Sequence, residues 1–253
     1  MYSKAIVRTP SKNIADGLTT ANLGSPNYSL SLHQHQEYIE ALKECGLDVI
    51  VLEADDSFPD STFVEDTAVL APLCAIITNP GAPTRKDETF ETSKVLNRFY
   101  TNIETIEDPG TLDAGDVMMV GKHFYIGLSE RTNENGANQL ISFLNKYGMT
   151  ASTITLEKSL HLKTGVSYLE KNNMAATGEF LKQSEFQQFN IIEIDDDESY
   201  AANCVWINDK VLIPKGFSKA KRKIEELGYT TIAVDVTEFQ KLDGGVSCLS
   251  LRF

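Results

Sequence analysis

The chain has 253 residues, 42% of them hydrophobic, and its 36 acidic and 23 basic side chains give a formal net charge of −13 at pH 7. Such an acidic surface repels phosphate backbones, which argues against nucleic acid as a partner and favours a small cationic substrate. No apolar run reaches the ~18 residues that a membrane helix needs, so we expect a soluble protein with no membrane partner, folded as one domain over residues 1–253. Four widely spaced cysteines without a CxxC pair predict free thiols in the reducing cytoplasm.

The first predicted element is a strand over residues 4–8, followed by a polar loop over residues 9–27. A loop of this length inside a compact domain is either a lid or disordered, and here it carries one apolar residue with an exposed pattern, Leu18. A helix is predicted over residues 29–45, with Gly46 in the position of a C-terminal cap.

Beyond this helix, strands and helices alternate, and polar residues precede each pair of strands. Segments that run from polar residues into a strand are predicted at 59–70, 112–120, 160–169 and 203–207. Further strands are predicted at 48–52, 75–78, 124–128, 152–154, 174–176, 210–214 and 231–234, helices at 88–100, 135–147, 184–188 and 218–227, and a final fragment at 245–253.

The polar residues that open these segments recur at nearly constant intervals. Repeats of ~40 to 50 residues are typical of propellers and solenoids. Because helices lie inside each unit, we predict a ring of ββαβ modules, closed by pairing of the C-terminal fragment with N-terminal strands. In such a ring the repeat positions face one central channel, so their side chains converge. These positions are Glu65, Asp113, His161, Asn203 and Cys248, separated by 48, 48, 42 and 45 residues.

A thiol, an imidazole and several carboxylates at these positions fit nucleophilic attack on an electrophilic carbon. Cys248 follows the Gly244-Gly245 turn and is the candidate nucleophile, although most free cysteines are small buried hydrophobes. His161 has no second histidine or thiol at ligand spacing, so no metal site is predicted. The chain also lacks a phosphate-binding GxxxxGK[ST] loop and a GxGxxG turn after a strand, so we predict no nucleotide cofactor.

The carboxylates favour a cationic ligand. Carboxylates only accept hydrogen bonds when ionised, and burying several together without a cation costs several kcal/mol per charge. A planar guanidinium offers five N–H donors to such a group, whereas the alternative is that the acids cap turns or face solvent. Both interpretations stay open for Asp116. The acids are Asp60, Glu65, Asp66, Asp113 and Asp116.

Several of these segments together resemble the dimethylarginine dimethylaminohydrolase family, a branch of the guanidino-group-modifying superfamily that includes arginine deiminases and amidinotransferases. The resemblance covers nearly the whole chain and implies a five-bladed α/β propeller of ββαβ modules around a central channel. Ala114 stands where many relatives have glycine, and the chain is shorter than arginine and agmatine deiminases. The segments are Gly17-Leu18-Thr19-Thr20, Asp60, Glu65-Asp66, Leu112-Asp113-Ala114-Gly115-Asp116, His161 before Thr164-Gly165, and Leu242 to Cys248.

The resemblance implies hydrolysis of Nω,Nω-dimethyl-L-arginine to L-citrulline and an alkylamine, through a thiouronium on Cys248. It makes Cys248 the nucleophile, His161 the proton donor and Asp113 the acid beside that histidine. The resemblance implies no metal and no cofactor, and it leaves open whether the chain forms a homodimer. The implied substrate contacts are Asp60, Glu65 and Asp66 with the guanidinium, Arg85 and Arg131 with the α-carboxylate, and the backbone of Leu18 and Leu242 at the α-amino end.

Three other functions are compatible with parts of this sequence. A guanidine hydrolase of the arginine deiminase type releases ammonia instead of an alkylamine, and only the pocket around the leaving amine separates the two. A binding protein for arginine-like cations keeps the carboxylates but needs no cysteine and histidine pair. A cysteine peptidase is disfavoured because neither papain-like nor caspase-like residues surround Cys248.

Overall fold

A computed structural model describes residues 1–253 of this protein. Its strands form five three-stranded sheets. In every sheet the middle strand pairs antiparallel with one neighbour and parallel with the other. Parallel neighbours require a crossover connection, and a helix or helical turns lie between the middle and third strands in each case. The chain is therefore an α/β protein of five ββαβ modules, as its repeat predicts.

One module joins the two ends of the chain. Its middle strand, Lys4–Arg8, pairs parallel with Asp48–Leu52 and antiparallel with the C-terminal residues Leu251–Arg252, which confirms the predicted pairing of the terminal fragment. The helix begins where the Asn27 side chain accepts a hydrogen bond from the Leu30 N–H, and it ends before Gly46 at φ +85°. The elements are β1 (Lys4–Arg8), α1 (Tyr28–Glu44) and β2 (Asp48–Leu52).

Two modules form one compact unit of the chain, Val64–Lys163 together with Phe253. A 3₁₀ turn directly precedes the first strand of each, at Val64–Thr67 and at Ala114–Asp116. Predicted helix 88–100 ends early, at Leu96. The elements are β3 (Ala68–Ala71), β4 (Cys74–Ile77), α2 (Thr89–Leu96), β5 (Ile103–Thr105), β6 (Val117–Val120), β7 (His123–Leu128), α3 (Glu134–Lys146) and β8 (Thr150–Thr155).

The remaining modules belong, with the terminal one, to a second compact unit, Met1–Phe63 and Thr164–Arg252. The predicted helix over residues 184–188 is wrong. Only a 3₁₀ turn forms at Ser184–Phe186, because Gln183 is extended and the segment is too short to nucleate an α-helix. The elements are α4 (Leu162–Gly165), β9 (Val166–Tyr168), β10 (Asn173–Ala176), β11 (Asn190–Glu193), β12 (Val205–Ile207), β13 (Lys210–Pro214), α5 (Ser218–Glu225), β14 (Thr230–Val234), α6 (Thr237–Gln240) and β15 (Leu251–Arg252).

Helix α1 anchors the C-terminal segment that contains Cys248. The buried Tyr38 hydroxyl donates to the Val246 carbonyl over 2.9 Å and lies 2.7 Å from Ser250 Oγ, so contacts flank the cysteine on both sides. Apolar side chains of α1, β12, β13 and the segment after α6 form one core around this anchor. None of the helices has both the length and the apolar character needed to cross a bilayer.

Candidate active site

The ten predicted site residues all lie in loops or short helical turns, and none lies within a strand. Short turns ahead of the first strand of a module hold several of them. The two compact units share them as follows: Leu18, Asp60, Leu242 and Cys248 in Met1–Phe63 and Thr164–Arg252, and Glu65, Asp66, Arg85, Asp113, Arg131 and His161 in Val64–Lys163.

His161 and Asp113 form a buried hydrogen-bonded pair, with 3.0 Å between Nε2 and Oδ2. Burial by itself lowers the pKa of His161, but the negative charges of Asp66, Asp113 and Asp116 outweigh burial and raise that pKa to about 9. Burial likewise opposes ionisation of Asp113, and the His161 and Arg85 cations nevertheless hold its pKa below the usual value. The site therefore contains an imidazolium at neutral pH, which can donate a proton.

Asp66 lies beside this pair. Its Oδ2 accepts from Arg85 Nη1 at 2.7 Å, and its Oδ1 accepts from the Gly115 N–H at 2.9 Å. A Cβ atom at Gly115 would stand 2.8 Å from Asp66 Oδ1 and 2.9 Å from His161 Nδ1. Residue 115 is therefore glycine because the backbone passes directly between the acid and the imidazole.

Arg85 is buried, and its guanidinium forks onto two carboxylates. Nε and Nη2 donate to Glu88 Oε2 at 3.0 and 2.8 Å, and Nη1 reaches Asp66. Burial opposes the positive charge, yet Glu88 and Asp66 raise the Arg85 pKa. Sequence reasoning missed Glu88, although its position three residues after Arg85 was a usable signal.

Arg131 and Glu65 have partners in the same unit. Arg131 Nη1 stands 3.9 Å from Asp113 Oδ2, and its side chain keeps 21% of its surface exposed. Glu65 Oε1 pairs with Lys163 Nζ at 2.7 Å, and both side chains are largely buried. Lys163 was missed by sequence reasoning, although it lies only two residues after His161.

Asp116 supports the segment that carries His161. Its carboxylate is fully buried and accepts from the Leu162 N–H at 2.9 Å and from Ser129 Oγ at 2.7 Å. Burial raises the pKa of Asp116. Asp116 was interpreted either as a cap of a turn or as part of a cationic ligand's site. The observed contacts are those of a cap, since the carboxylate binds the N–H of Leu162, the residue after His161.

In the other unit, Asp60, Leu18 and Leu242 lie together. Both carboxylate oxygens of Asp60 accept from the Leu18 N–H, at 3.1 and 3.2 Å. A Cβ atom at Gly17 would stand 2.8 Å from Asp60 Oδ1 and 3.2 Å from Leu242 Cδ1. The Leu18 side chain itself is 40% exposed, as its sequence pattern predicts.

Asp243 fastens the Leu18 loop to the C-terminal segment, a contact that sequence reasoning missed. It has a left-handed backbone at φ +58°, and its Oδ2 accepts from the Thr20 N–H at 2.6 Å. Asp tolerates this region better than most residues do, which was the available signal. The loop is therefore bound at Leu18 and again at Thr20.

Cys248 lies in a 3₁₀ turn, Ser247–Leu249, and is partly exposed. The Gly245 N–H donates to its Sγ at 3.3 Å. The other cysteines are buried, and burial raises the pKa to about 11 for Cys45 and Cys74 and to about 12 for Cys204. Cys248 is thus the thiol that combines access to solvent with a backbone donor.

Asp66, Asp113 and His161 bring three oxygen or nitrogen atoms within 4.8 Å of one another, a spacing compatible with a metal ion. Their existing partners argue for another use of the group. Nε2 of His161 is hydrogen-bonded to Asp113, the raised pKa of His161 favours its protonated form, and Asp66 is paired with Arg85. A metal ion would have to displace the imidazole proton and compete with Arg85 for Asp66, so these contacts favour an ion-pair network.

Comparison with known families decides where the chain belongs. A family model described as N,N dimethylarginine dimethylhydrolase, eukaryotic, matches residues 24–251. The chain belongs to the dimethylarginine dimethylaminohydrolase family. It is 53% identical over its whole length to the entire dimethylarginine dimethylaminohydrolase of Pseudomonas aeruginosa, and 34% identical to that of Streptomyces coelicolor, with 98% of this chain and 96% of the relative covered.

Solved structures of dimethylarginine dimethylaminohydrolases have the same fold. The P. aeruginosa enzyme, crystallised as a cysteine-to-serine mutant with citrulline, matches with a TM-score of 0.99 over 100% of both chains. A more distant match, at 16% identity and a TM-score of 0.88, is the N-terminal domain of ArgZ, a cyanobacterial arginine dihydrolase, and it shows the fold alone. The predicted fold class is therefore confirmed.

Proposed function

We propose that this protein hydrolyses Nω,Nω-dimethyl-L-arginine to L-citrulline and dimethylamine, with Cys248 as its nucleophile. The observation that carries the proposal is the end-to-end match to an enzyme crystallised with citrulline, the product of this reaction. The reaction needs a proton donor and an accessible sulfur, and His161 and Cys248, each described in its own unit, have these properties.

The first step forms a bond from the Cys248 sulfur to the guanidinium carbon. As the thiolate attacks, the C–N electrons move onto the dimethylamino nitrogen, which takes the proton of the His161 imidazolium and leaves as dimethylamine. The product on the enzyme is an S-alkylthiouronium cation. Asp113 holds Nε2 of the imidazole and stabilises its charged form, so the donor is ready before the amine departs.

The second step uses the same histidine as a base. Neutral His161 takes a proton from a water molecule, whose oxygen adds to the thiouronium carbon. The C–S bond then breaks, sulfur leaves as thiolate, the hydroxyl proton passes to solvent and L-citrulline is released. His161 ends the cycle as imidazolium and Cys248 as thiolate, so no cofactor is needed.

We assign each charged group of the substrate to side chains of opposite charge. We assign the guanidinium to Asp60, Glu65 and Asp66, because carboxylates can accept its planar set of N–H donors. We assign the α-carboxylate to Arg131, which is partly exposed, and to Arg85. A contact of Arg85 with the α-carboxylate would be made in addition to its pairs with Asp66 and Glu88.

We assign the α-amino end to the backbone of Leu18 and Leu242, since Leu242 lies beside Gly17, the residue before Leu18. The loop bearing Leu18 would exclude water when a substrate is bound. We further propose that residues 1–253 act as one catalytic domain in the cytoplasm, where the four free cysteines stay reduced.

A product assay tests the proposal. The protein is incubated separately with Nω,Nω-dimethyl-L-arginine and with L-arginine, and citrulline, dimethylamine and ammonia are measured. We expect equal amounts of citrulline and dimethylamine from the methylated substrate and little ammonia from arginine. Faster ammonia release from arginine would identify an arginine deiminase, and binding without citrulline from either compound would identify a binding protein. The Cys248→Ser variant is the control for non-enzymatic hydrolysis.

A further inference from the structure

Asn203 occupies one of the repeat positions but has no part in the reaction as proposed above. It precedes strand β12 and is buried. Its side-chain amide bonds twice to one residue: Oδ1 accepts from the Ser247 N–H at 2.9 Å, and Nδ2 donates to Ser247 Oγ at 3.0 Å. Ser247 directly precedes Cys248, so this amide restrains the backbone that leads into the nucleophile.

Asn203 also packs on the other side of the same turn. A Cβ atom at Gly245 would stand 2.5 Å from both Cγ and Oδ1 of Asn203, so only glycine admits the amide at this distance. Gly245 is the residue whose N–H donates to Cys248 Sγ. The side chain of Asn203 therefore contacts the turn at Gly245, whose N–H faces the sulfur, and at Ser247, which directly precedes the cysteine.

We propose that Asn203 is a positioning residue for the nucleophile, which holds residues 245–247 so that the Gly245 N–H points at Cys248 Sγ. The inference rests on the proposed function for the role of Cys248. A backbone donor favours the thiolate, the form that attacks carbon. Without the amide, the turn can rotate this N–H towards water and the thiolate loses its donor.

The chemistry of an amide explains why this repeat position differs from the others. Glu65, Asp113 and His161 all carry titratable groups, whereas Asn203 is neutral at every pH. A carboxylate in its place would put a negative charge next to the turn that presents a thiolate, which disfavours the charged sulfur. An amide supplies both the acceptor and the donor that Ser247 needs without that repulsion.

Alkylation of Cys248 by iodoacetamide measures the proposed effect without any substrate. The rate of labelling is followed against pH by peptide mass spectrometry in the full-length protein, Asn203→Ala, Asn203→Asp and Asn208→Ala. Asn208 is a matched control, because its amide also bonds to backbone, at Tyr2 and Cys45, but has no contact with the turn. Kinetic constants for dimethylarginine are measured in parallel.

For Asn203→Ala we expect the pH of half-maximal alkylation to rise by about one unit and kcat at neutral pH to fall by about tenfold, with KM little changed. Asn208→Ala should lower thermal stability but leave the alkylation profile in place. A folded Asn203→Ala protein with the profile of the native chain would overturn the proposal, as would a fall in kcat without any shift of the profile.

Asn203→Asp covers the case in which the alanine variant does not fold, since it fills the same volume. Its added charge should also move half-maximal alkylation to higher pH, and an unchanged profile would overturn the proposal. Loss of the proposed function is a separate result. If the native protein forms no citrulline but the alkylation profiles of the Asn203 variants shift, the proposed reaction is wrong and the positioning role of Asn203 is supported. If the native protein forms citrulline but the profiles do not shift, the reaction is supported and the positioning role is wrong.

Discussion

Nε2 of His161 lies 3.0 Å from Oδ2 of Asp113, a carboxylate with no exposed surface. This pair couples the charge of the imidazole to that of a buried acid, and with Asp66 it raises the His161 pKa to about 9 despite burial. An imidazole of ordinary pKa would be mostly neutral at pH 7.5 and unable to protonate a leaving amine. Under the proposed mechanism, the pair therefore sets the pH range in which the first chemical step proceeds.

We predict that kcat falls as pH rises through about 9, because His161 then loses the proton it must donate. Asp113→Asn removes one charge that stabilises the imidazolium, so the alkaline fall should move to lower pH. A pH–rate profile of both proteins measures this, with the exposed Asp209→Asn as control. Identical alkaline limbs for the native protein and Asp113→Asn would show that this pair does not control the acid.

Gly115→Ala should reduce both the activity and the stability of the protein. The added methyl would meet Asp66 Oδ1 at 2.8 Å and His161 Nδ1 at 2.9 Å, which displaces both groups. We expect a loss of about a hundredfold in kcat, since small displacements of reacting groups have large effects, and about 1–3 kcal/mol in unfolding free energy. Denaturant unfolding and steady-state kinetics on one preparation measure the two quantities.

Gly121→Ala is the matched control for this substitution. Its Cβ would meet nothing within 4 Å, but φ of +62° makes alanine strained there. It should therefore lose about 1 kcal/mol of stability and keep its kcat. Equal losses of activity in the two variants would mean that Gly115 acts through stability alone.

His35 predicts acid sensitivity of the fold. It is buried in α1 with no hydrogen-bond partner at Nε2, and burial lowers its pKa to about 4. Between pH 6.5 and about 4 the unfolded chain binds the proton and the folded chain does not, so acidification favours unfolding. The full pKa shift corresponds to about 3 kcal/mol of unfolding free energy. This stability is present above pH 6.5 and is lost as the pH falls to about 4.

His35→Leu removes this titration while keeping an apolar group in the core. The difference in unfolding free energy between pH 7 and pH 4 should be smaller in the variant by about that amount. Urea unfolding at both pH values measures it, and the exposed His33→Leu serves as control. A pH dependence equal to that of the native chain would show that His35 is protonated without cost.

The alternation of strands and helices could be predicted from the sequence because it depends on local pattern. Helix α1 carries its caps at Asn27 and Gly46, and the polar residues that open the modules recur at similar spacing. The predicted helix over residues 184–188 was wrong, because a short apolar pattern does not offset the free-energy cost of nucleating an α-helix.

Side-chain partners were much harder to predict, because they depend on packing between elements distant in sequence. Arg85 pairs with Asp66 and Glu88 in the structure, two contacts that were not predicted, and its contact with a substrate carboxylate stays a prediction. The hydrogen bond that the Thr20 N–H donates to Asp243 joins residues 223 positions apart in the sequence. Residue type marks such groups as candidates, but only the fold determines which charge each one meets.

Mass analysis of an enzyme adduct tests the central claim most directly. The His161→Gly variant is incubated with S-methyl-L-thiocitrulline, whose methanethiol leaving group depends less on a proton donor than an amine does. The account predicts a long-lived adduct, heavier than the protein by the mass of the probe minus methanethiol and located on Cys248, because no base remains to activate water. A folded variant that turns the probe over as fast as the native protein, or that carries the label on another residue, would contradict it.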